Sequence, residues 1–514
     1  MEAVLMQQAA AGLARRRCVG EAAVRRSQLS VVRFGMARRA SGPVLRARPG
    51  PARAHLAVER GKEATGREVD GGDDAGAVRL FVGLPVDVVV SEGHAVNRTK
   101  AISAGLRALK LLGVDGVELP VSWAVVQPGS GDRFEWAGYL AVADMVRDAG
   151  LSLRVSLHTH GSALPVWVAD PDILFTDRSG NRREGCLSFA VDELPVLAGR
   201  SPLEAYEAFF RSFADAFQDF LGSTITDVTV SLGPNGELRY PSYPPGTDGY
   251  AGVGEFQCYD KHMLARLKLH AESSGQPLWG LSGPHDAPQY GESPESSAFF
   301  REPGGSCETA YGGFFLSWYA GELLGHGDRV LAAASRVFAG KPVELSAKVP
   351  FLHHRSRPAE VTAGLYGGYG PVTEMFARHA CTVIASGMMD TAAGSGTEEL
   401  LAQIKDTCTE HGARFACENA SLAVARDGAG STGILGGLLV TADRTRPCHF
   451  TYQRMGAEFF SPDHWPLFVQ FVRALECPEE AHEDDLPADG DGDRLAVPSG
   501  RAKEQGTVQE VQTA

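Results

Sequence analysis

From about Val78 the chain alternates short apolar runs with stretches whose apolar residues recur at three-and-four spacing. "VRLFVGLPVDVVV" has the length and composition of a strand. "VNRTKAISAGLRALKLLGV" after it has helical spacing. "GVELPVSW" is a second strand, and "AGYLAVADMVRDAG" a helix ending on glycine. "LSLRVSLH" is a third, followed by a loop and the helix "SPLEAYEAFFRSFADAFQDFLG". "ITDVTVSLGP" is a fourth, and "PVELSAKVPFLH", "CTVIASGMM", "ARFACENA" and "CHFTYQRM" complete a set of eight. This count in regular alternation predicts an α/β chain folded as a closed parallel (β/α)8 TIM barrel with long βα loops, rather than an open doubly wound sheet. No glycine-rich GxGxxG or GxxxxGK[ST] loop opens a helix, so a nucleotide cofactor has no support.

The flanks differ from this pattern. Residues 1–55 hold 11 Arg and no Lys against Glu2 and Glu21, the composition of an organelle transit peptide. A disordered basic tail or a nuclear signal shares that composition. Residues 56–77 are charged and Gly-rich, a linker, and residues 476–514 are an acidic, apolar-poor tail expected to be disordered. The barrel is therefore assigned to residues 78–475. A net charge of −14 argues against a nucleic-acid surface. No run of about 18 apolar residues suggests a membrane span. The nine cysteines form no CxxC pair and no zinc spacing, which points to a reducing compartment and no metal.

In a barrel of this kind chemistry sits where the strands end. The polar residues at those ends are His158, Glu237, Lys348, His353, Glu418, Asn419 and Arg454, with His160 just beyond His158. Two carboxyls across a barrel mouth suit glycoside hydrolysis, one as proton donor and one activating water or attacking the sugar. Glu237 and Glu418 are that pair. Arg454 or Lys348 could keep one of them ionised. Tyr240 and Tyr243 could pack sugar faces. Each Glu taken alone is more commonly a rim ion-pair partner. His353 and His354 are adjacent and point to opposite faces of a strand. His158 and His160 share a face, but no motif completes a metal site.

Several longer motifs sharpen this. "VDGVELPVSWAVV", "GPNGELRYPSYP", "GEFQCYDKH", "FFLSWYAGELLGHGDRVL", "AEVTAG" and "CENA" closely resemble the plant β-amylase family, and the similarity spans about Val78 to Leu475. The resemblance implies a (β/α)8 barrel releasing β-maltose from non-reducing ends of α-1,4-glucans with inversion. It maps the general acid onto Glu237 and the general base onto Glu418. It also implies substrate contacts at His158, Lys348, Ser386, Asn419, Ala420 and Arg454, with His353 in the altered fifth-strand region.

Three departures stand beside the matches. The family's glycine-rich "HQCGGNVGD" lid, with its Asp, is replaced by "HTHGSALP", which runs almost directly from His158 to Pro165. The family's "VDVWWG" Asp is Pro120 here, and a proline ring offers no donor or acceptor in its place. The inner loop "TCLEMRD" reads "SGMMDT", keeping a hydroxyl at Ser386. "IHWWY" has become "FLHHRSRP". Losing a water-excluding lid and transition-state contacts costs roughly 100- to 1,000-fold for each such contact. The expectation is a plastid protein of starch metabolism with little or no turnover, a regulatory or glucan-binding partner of α-1,4-glucan, maltooligosaccharide or another protein of starch degradation. An active β-amylase, a scaffold that binds no glucan and a cytoplasmic location are the alternatives.

Overall fold

The computed structural model describes residues 78–90, 94–161, 163–244, 252–352, 357–388, 397–419 and 447–476. The expected transit peptide, linker and acidic tail, and the site candidates His353 and Ala420, lie outside those residues.

All eight expected strands form, and they close into one barrel. The barrel strands are β1 (Arg79–Gly83), β2 (Gly116–Ser122), β3 (Ser152–His158), β6 (Ile225–Val230), β7 (Glu344–Pro350), β8 (Thr382–Met388), β9 (Phe415–Asn419) and β10 (His449–Tyr452). Each is parallel to its neighbours, and β10 returns to β1 with Arg79 opposite His449. A small antiparallel hairpin, β4 (Leu174–Thr176) with β5 (Arg182–Leu187), interrupts the long connection after β3.

The outer layer follows the apolar spacing. Helix α1 (Thr99–Leu111) buries Ile102, Leu106 and Leu109. A four-residue turn, α2 (Trp123–Val126), precedes α3 (Ala137–Asp148). Helix α4 (Pro202–Ala216) starts on a capping box in which Ser201 and Glu204 satisfy each other's backbone N–H, with proline in the first turn. Helix α5 (Lys261–Ser273) is capped by Asp260, and the 29-residue α6 (Ala310–Phe338) by Thr309. Among the described residues the layer also holds α7 (Arg357–Thr362), α8 (Gly370–Arg378), α9 (Thr397–His411) and α10 (Trp465–Glu476).

Strand alternation then decides what fills the barrel. On β2, Val117, Leu119 and Val121 are fully buried on one face, while Glu118 and Pro120 take the other. On β3 the corresponding inward set is Arg154, Ser156 and His158, opposite Glu118, Pro120 and Ser122. The interior is thus strongly polar. Near the base, the Arg154 guanidinium pairs with Asp227 at 3.2 Å, donates to Thr451 Oγ1 at 2.6 Å and lies over the Phe81 ring. Ser346 Oγ donates to the same Asp227 oxygen at 2.8 Å.

A second buried carboxyl lies on the connection after β6. The Glu255 carboxyl is pushed up to about 7, by burial first and then by the nearby Asp177 charge, against Arg178 and Arg183.

Two expectations follow. Arg154→Leu strands Asp227 without its cation and should lower the unfolding free energy by about 3–5 kcal/mol; an unchanged urea midpoint would contradict the pairing. Glu255 holds its proton more tightly folded than unfolded, so its contribution is complete in acid and is lost as pH rises from about 4.5 through about 7. Glu255→Gln should therefore gain on the native chain between pH 5 and 8 in melts across that range. A constant gap at all pH values would refute this.

Candidate functional site

Glu237 is placed by a turn that only particular residues can make. After β6 the chain enters a 3-10 turn, Pro234–Gly236, in which Asn235 has φ 57° and Gly236 φ 83°. Glycine takes that conformation without penalty, and here space is short as well. A methyl on Gly236 would lie 3.3 Å from His158 Cε1 and 3.7 Å from Lys348 Cδ. The chain then bridges to β7, with Leu238 N donating to Lys348 O at 2.8 Å, which fixes Glu237 beside Lys348. Arg239 Nε donates to Glu237 Oε2 at 2.5 Å.

Glu418, near the end of β9, is bound on both oxygens. Ser386 Oγ donates to Oε1 at 2.6 Å, Lys348 Nζ lies 2.8 Å from Oε2, and Gln453 Nε2 is 3.2 Å from Oε2. Lys348 therefore stands between the two carboxyls, through its backbone to Glu237 and its ammonium to Glu418. β8 links them too: a methyl on Gly387 would lie 4.0 Å from Glu237 Oε1, and its neighbour Ser386 holds Glu418. Glu237, Lys348, Ser386, Glu418 and Asn419 are all buried.

Other expected site residues have different employment. Asn419 Oδ1 accepts from Gln453 N at 2.6 Å, and Asn419 Nδ2 donates to Gln453 O at 3.3 Å, so its amide extends the β9–β10 ladder. Among the described residues Arg454 forms no ion pair with either expected catalytic carboxyl; its guanidinium donates to Leu84 O at 2.6 Å and lies 4.0 Å from Glu118. Tyr240 cannot stack on a sugar, because it is fully buried, stacked on Tyr319 at 3.9 Å and donating to Tyr319 O. Tyr243 likewise turns its hydroxyl to Gly252 O.

His158 and His160 do not share a face, because the strand ends between them. His158 lies against Gly236 in the mouth. His160 packs among Phe189, Tyr206 and His326, with Nδ1 3.2 Å from Thr159 Oγ1. Next to it, Gly161 N donates to Gly185 O on β5 at 3.1 Å, tying the short connection to the hairpin. Burial holds the His158 imidazole down at about 4; Lys348 and Arg454 add to this against Glu118 and Glu418.

The residues that sequence reasoning passed over are Glu118, Gln453 and Gly83. Gln453 Nε2 lies 3.3 Å from Glu118 Oε2 as well as 3.2 Å from Glu418 Oε2. Burial alone would raise the Glu118 carboxyl, but Lys348 and Arg454 outweigh it and hold it at about 2. The available signal was parity: Glu118 is a charged residue in an apolar strand on the face that Pro120 also occupies.

A parallel (β/α)8 barrel with paired carboxyls and a cation at its C-terminal mouth defines the glycosidase type of site. The model of glycosyl hydrolase family 14 matches residues 81–482, and the chain belongs to that family; it is a β-amylase-like protein. It is 47% identical over 438 residues to "Inactive beta-amylase 9" of Arabidopsis thaliana, covering 79% of each chain. It is 40% identical to "Beta-amylase 2, chloroplastic" of Oryza sativa subsp. japonica, covering 77% of each. The catalytic domain of β-amylase from Paenibacillus polymyxa shares the fold with a TM-score of 0.62 at 24% identity, over 77% of this chain and 97% of that one.

The His158 ring should titrate near pH 4 and remain silent between pH 6 and 8 in a histidine NMR titration assigned with His158→Gln. Its depressed folded value means stability present above the unfolded value, about 6.5, and lost as pH falls toward 4. A midpoint near 6.5 would contradict the burial and charges placed around it.

Proposed function

We propose that this chain holds α-1,4-glucan or maltooligosaccharide at its barrel mouth with little or no hydrolysis, acting as a regulatory or glucan-binding partner in plastid starch metabolism. The observation that carries the reading is the opening stretch of the connection after β3. It goes from His158 to the buried Pro165 in seven residues, turns His160 into the wall and is tied to β5 through Gly161. A segment so short and so anchored has no length to cover the mouth, expel water or bring an acid over the sugar. Pro120, buried on the inward face of β2, adds a second loss by removing a polar contact.

Glu237 and Glu418 would then bind sugar hydroxyls, as donor or acceptor, where their family counterparts act as general acid and general base. Lys348, Ser386 and His158 line the same mouth, and Asn419 and Arg454 support it from the β10 side. The relative named "Inactive beta-amylase 9" supports the loss of turnover. The relatives named as chloroplastic β-amylases of rice and Arabidopsis, with the Arg-rich residues 1–55, support the plastid.

Purified chain lacking residues 1–77 should release no maltose from soluble starch above a Glu237→Gln control, yet sediment with starch granules. Maltose release abolished by Glu237→Gln would restore the enzyme reading. Absence of sedimentation and of calorimetric binding to maltohexaose would leave a scaffold that recognises no glucan.

A further inference from the structure

The floor of the mouth holds a side-chain arrangement that the general acid and base do not require. Gln453 enters the barrel from the end of β10, and its Nε2 faces two carboxylates, Glu118 at 3.3 Å and Glu418 at 3.2 Å. A primary amide carries two N–H bonds on one nitrogen, so each can serve one carboxylate. The other end of the amide fits only because residue 83 is glycine. A methyl on Gly83 would fall within contact of Gln453 Oε1 and 3.0 Å from its Cδ. Gly83 has no left-handed backbone, so its value at this position is space.

Glu118 stands one layer below Pro120 on the inward face of β2 and is 1% exposed. Its Oε2 receives Gln453. Its charge is opposed by Lys348 and Arg454, and Lys348 is the cation that grips Glu418. On Glu418 itself, Ser386, Lys348 and Gln453 take three of the roughly four acceptor directions of a carboxylate.

We propose that Glu118 is a positioning residue: working through Gln453, in the space that Gly83 leaves, it fixes Glu418 as a stationary hydrogen-bond acceptor for a hydroxyl of the bound glucan. The inference rests on the glucan-binding reading for its ligand, while the positioning itself does not. A carboxylate anchored on three sides presents one remaining direction in a constant orientation. That suits recognition of a sugar hydroxyl, which needs geometry held in advance. Turnover would instead need Glu418 to accept a proton from water, leaving three donors facing a neutral acid.

Two variants test this without removing a residue that touches the sugar. Glu118→Gln keeps the shape and removes the charge; Gly83→Ala keeps every charge and evicts the Gln453 amide. Each is read by calorimetry with maltohexaose and by the NMR signals of the Gln453 side-chain amide, assigned through Gln453→Leu. In the native chain those amide protons should exchange slowly with solvent, and both variants should speed their exchange. Both should weaken maltohexaose binding by about tenfold, the loss expected when one charge-assisted hydrogen bond is misplaced. Native affinity and native amide exchange in both variants would overturn the proposal. Weakened binding in Glu118→Gln with native binding in Gly83→Ala would overturn it too, since Glu118 would then act by charge and not through Gln453. If the native chain binds no maltohexaose, the glucan reading falls, and amide exchange alone decides whether Glu118 positions Gln453. Where a variant's melting point drops below the working temperature, the other variant decides.

Discussion

A closed barrel of eight parallel strands sends every second residue into its axis, where water is scarce and no neighbour can be avoided. In this chain that constraint falls on polar residues, which must find partners among themselves. At the base, Arg154 answers Asp227, with Thr451 and Ser346 completing the set. A layer higher, Lys348 and Gln453 answer Glu118 and Glu418. The mouth is built on top of these layers, so the orientation of Glu418 and the seat of His158 are inherited from pairing below them.

Much of this was legible along the chain. The eight apolar runs became the eight barrel strands, and helix limits fell at readable signals such as the Ser201–Glu204 cap and the glycine after α3. The approximate positions of Glu237, Lys348 and Glu418 followed from strand ends alone. What strand position cannot give is the direction of a side chain once the strand has ended. Tyr240 and Tyr243 follow Glu237 closely and looked like sugar platforms, yet the chain has turned into the wall by then. His158 and His160 were separated for the same reason. Glu118 was hidden differently: its partner Gln453 is 335 residues away, joined only when β10 closes against β1.

The structure also relates the chain's losses to each other. The stretch that leaves β3, from His158 to Pro165, is short, and its first residues are recruited into the wall beside Tyr206 and His326 and onto β5. Beneath it, Asn419 clamps β9 to β10 and Arg454 reaches back to Leu84. Side chains held in this way can discriminate the shape of a ligand. Binding and catalysis make different demands on such a mouth.

The Lys348–Glu418 contact carries a consequence for how such chains drift over generations. Replacing either partner alone strands a buried charge, and that penalty is felt by folding whether or not any bond is ever cleaved. Selection on fold integrity is therefore enough to keep this glutamate and lysine in place, whatever the turnover. Residues above the floor, such as those of a surface lid, have no such protection and are free to erode first. An intact pair of acidic residues therefore records membership of the family and does not by itself record turnover.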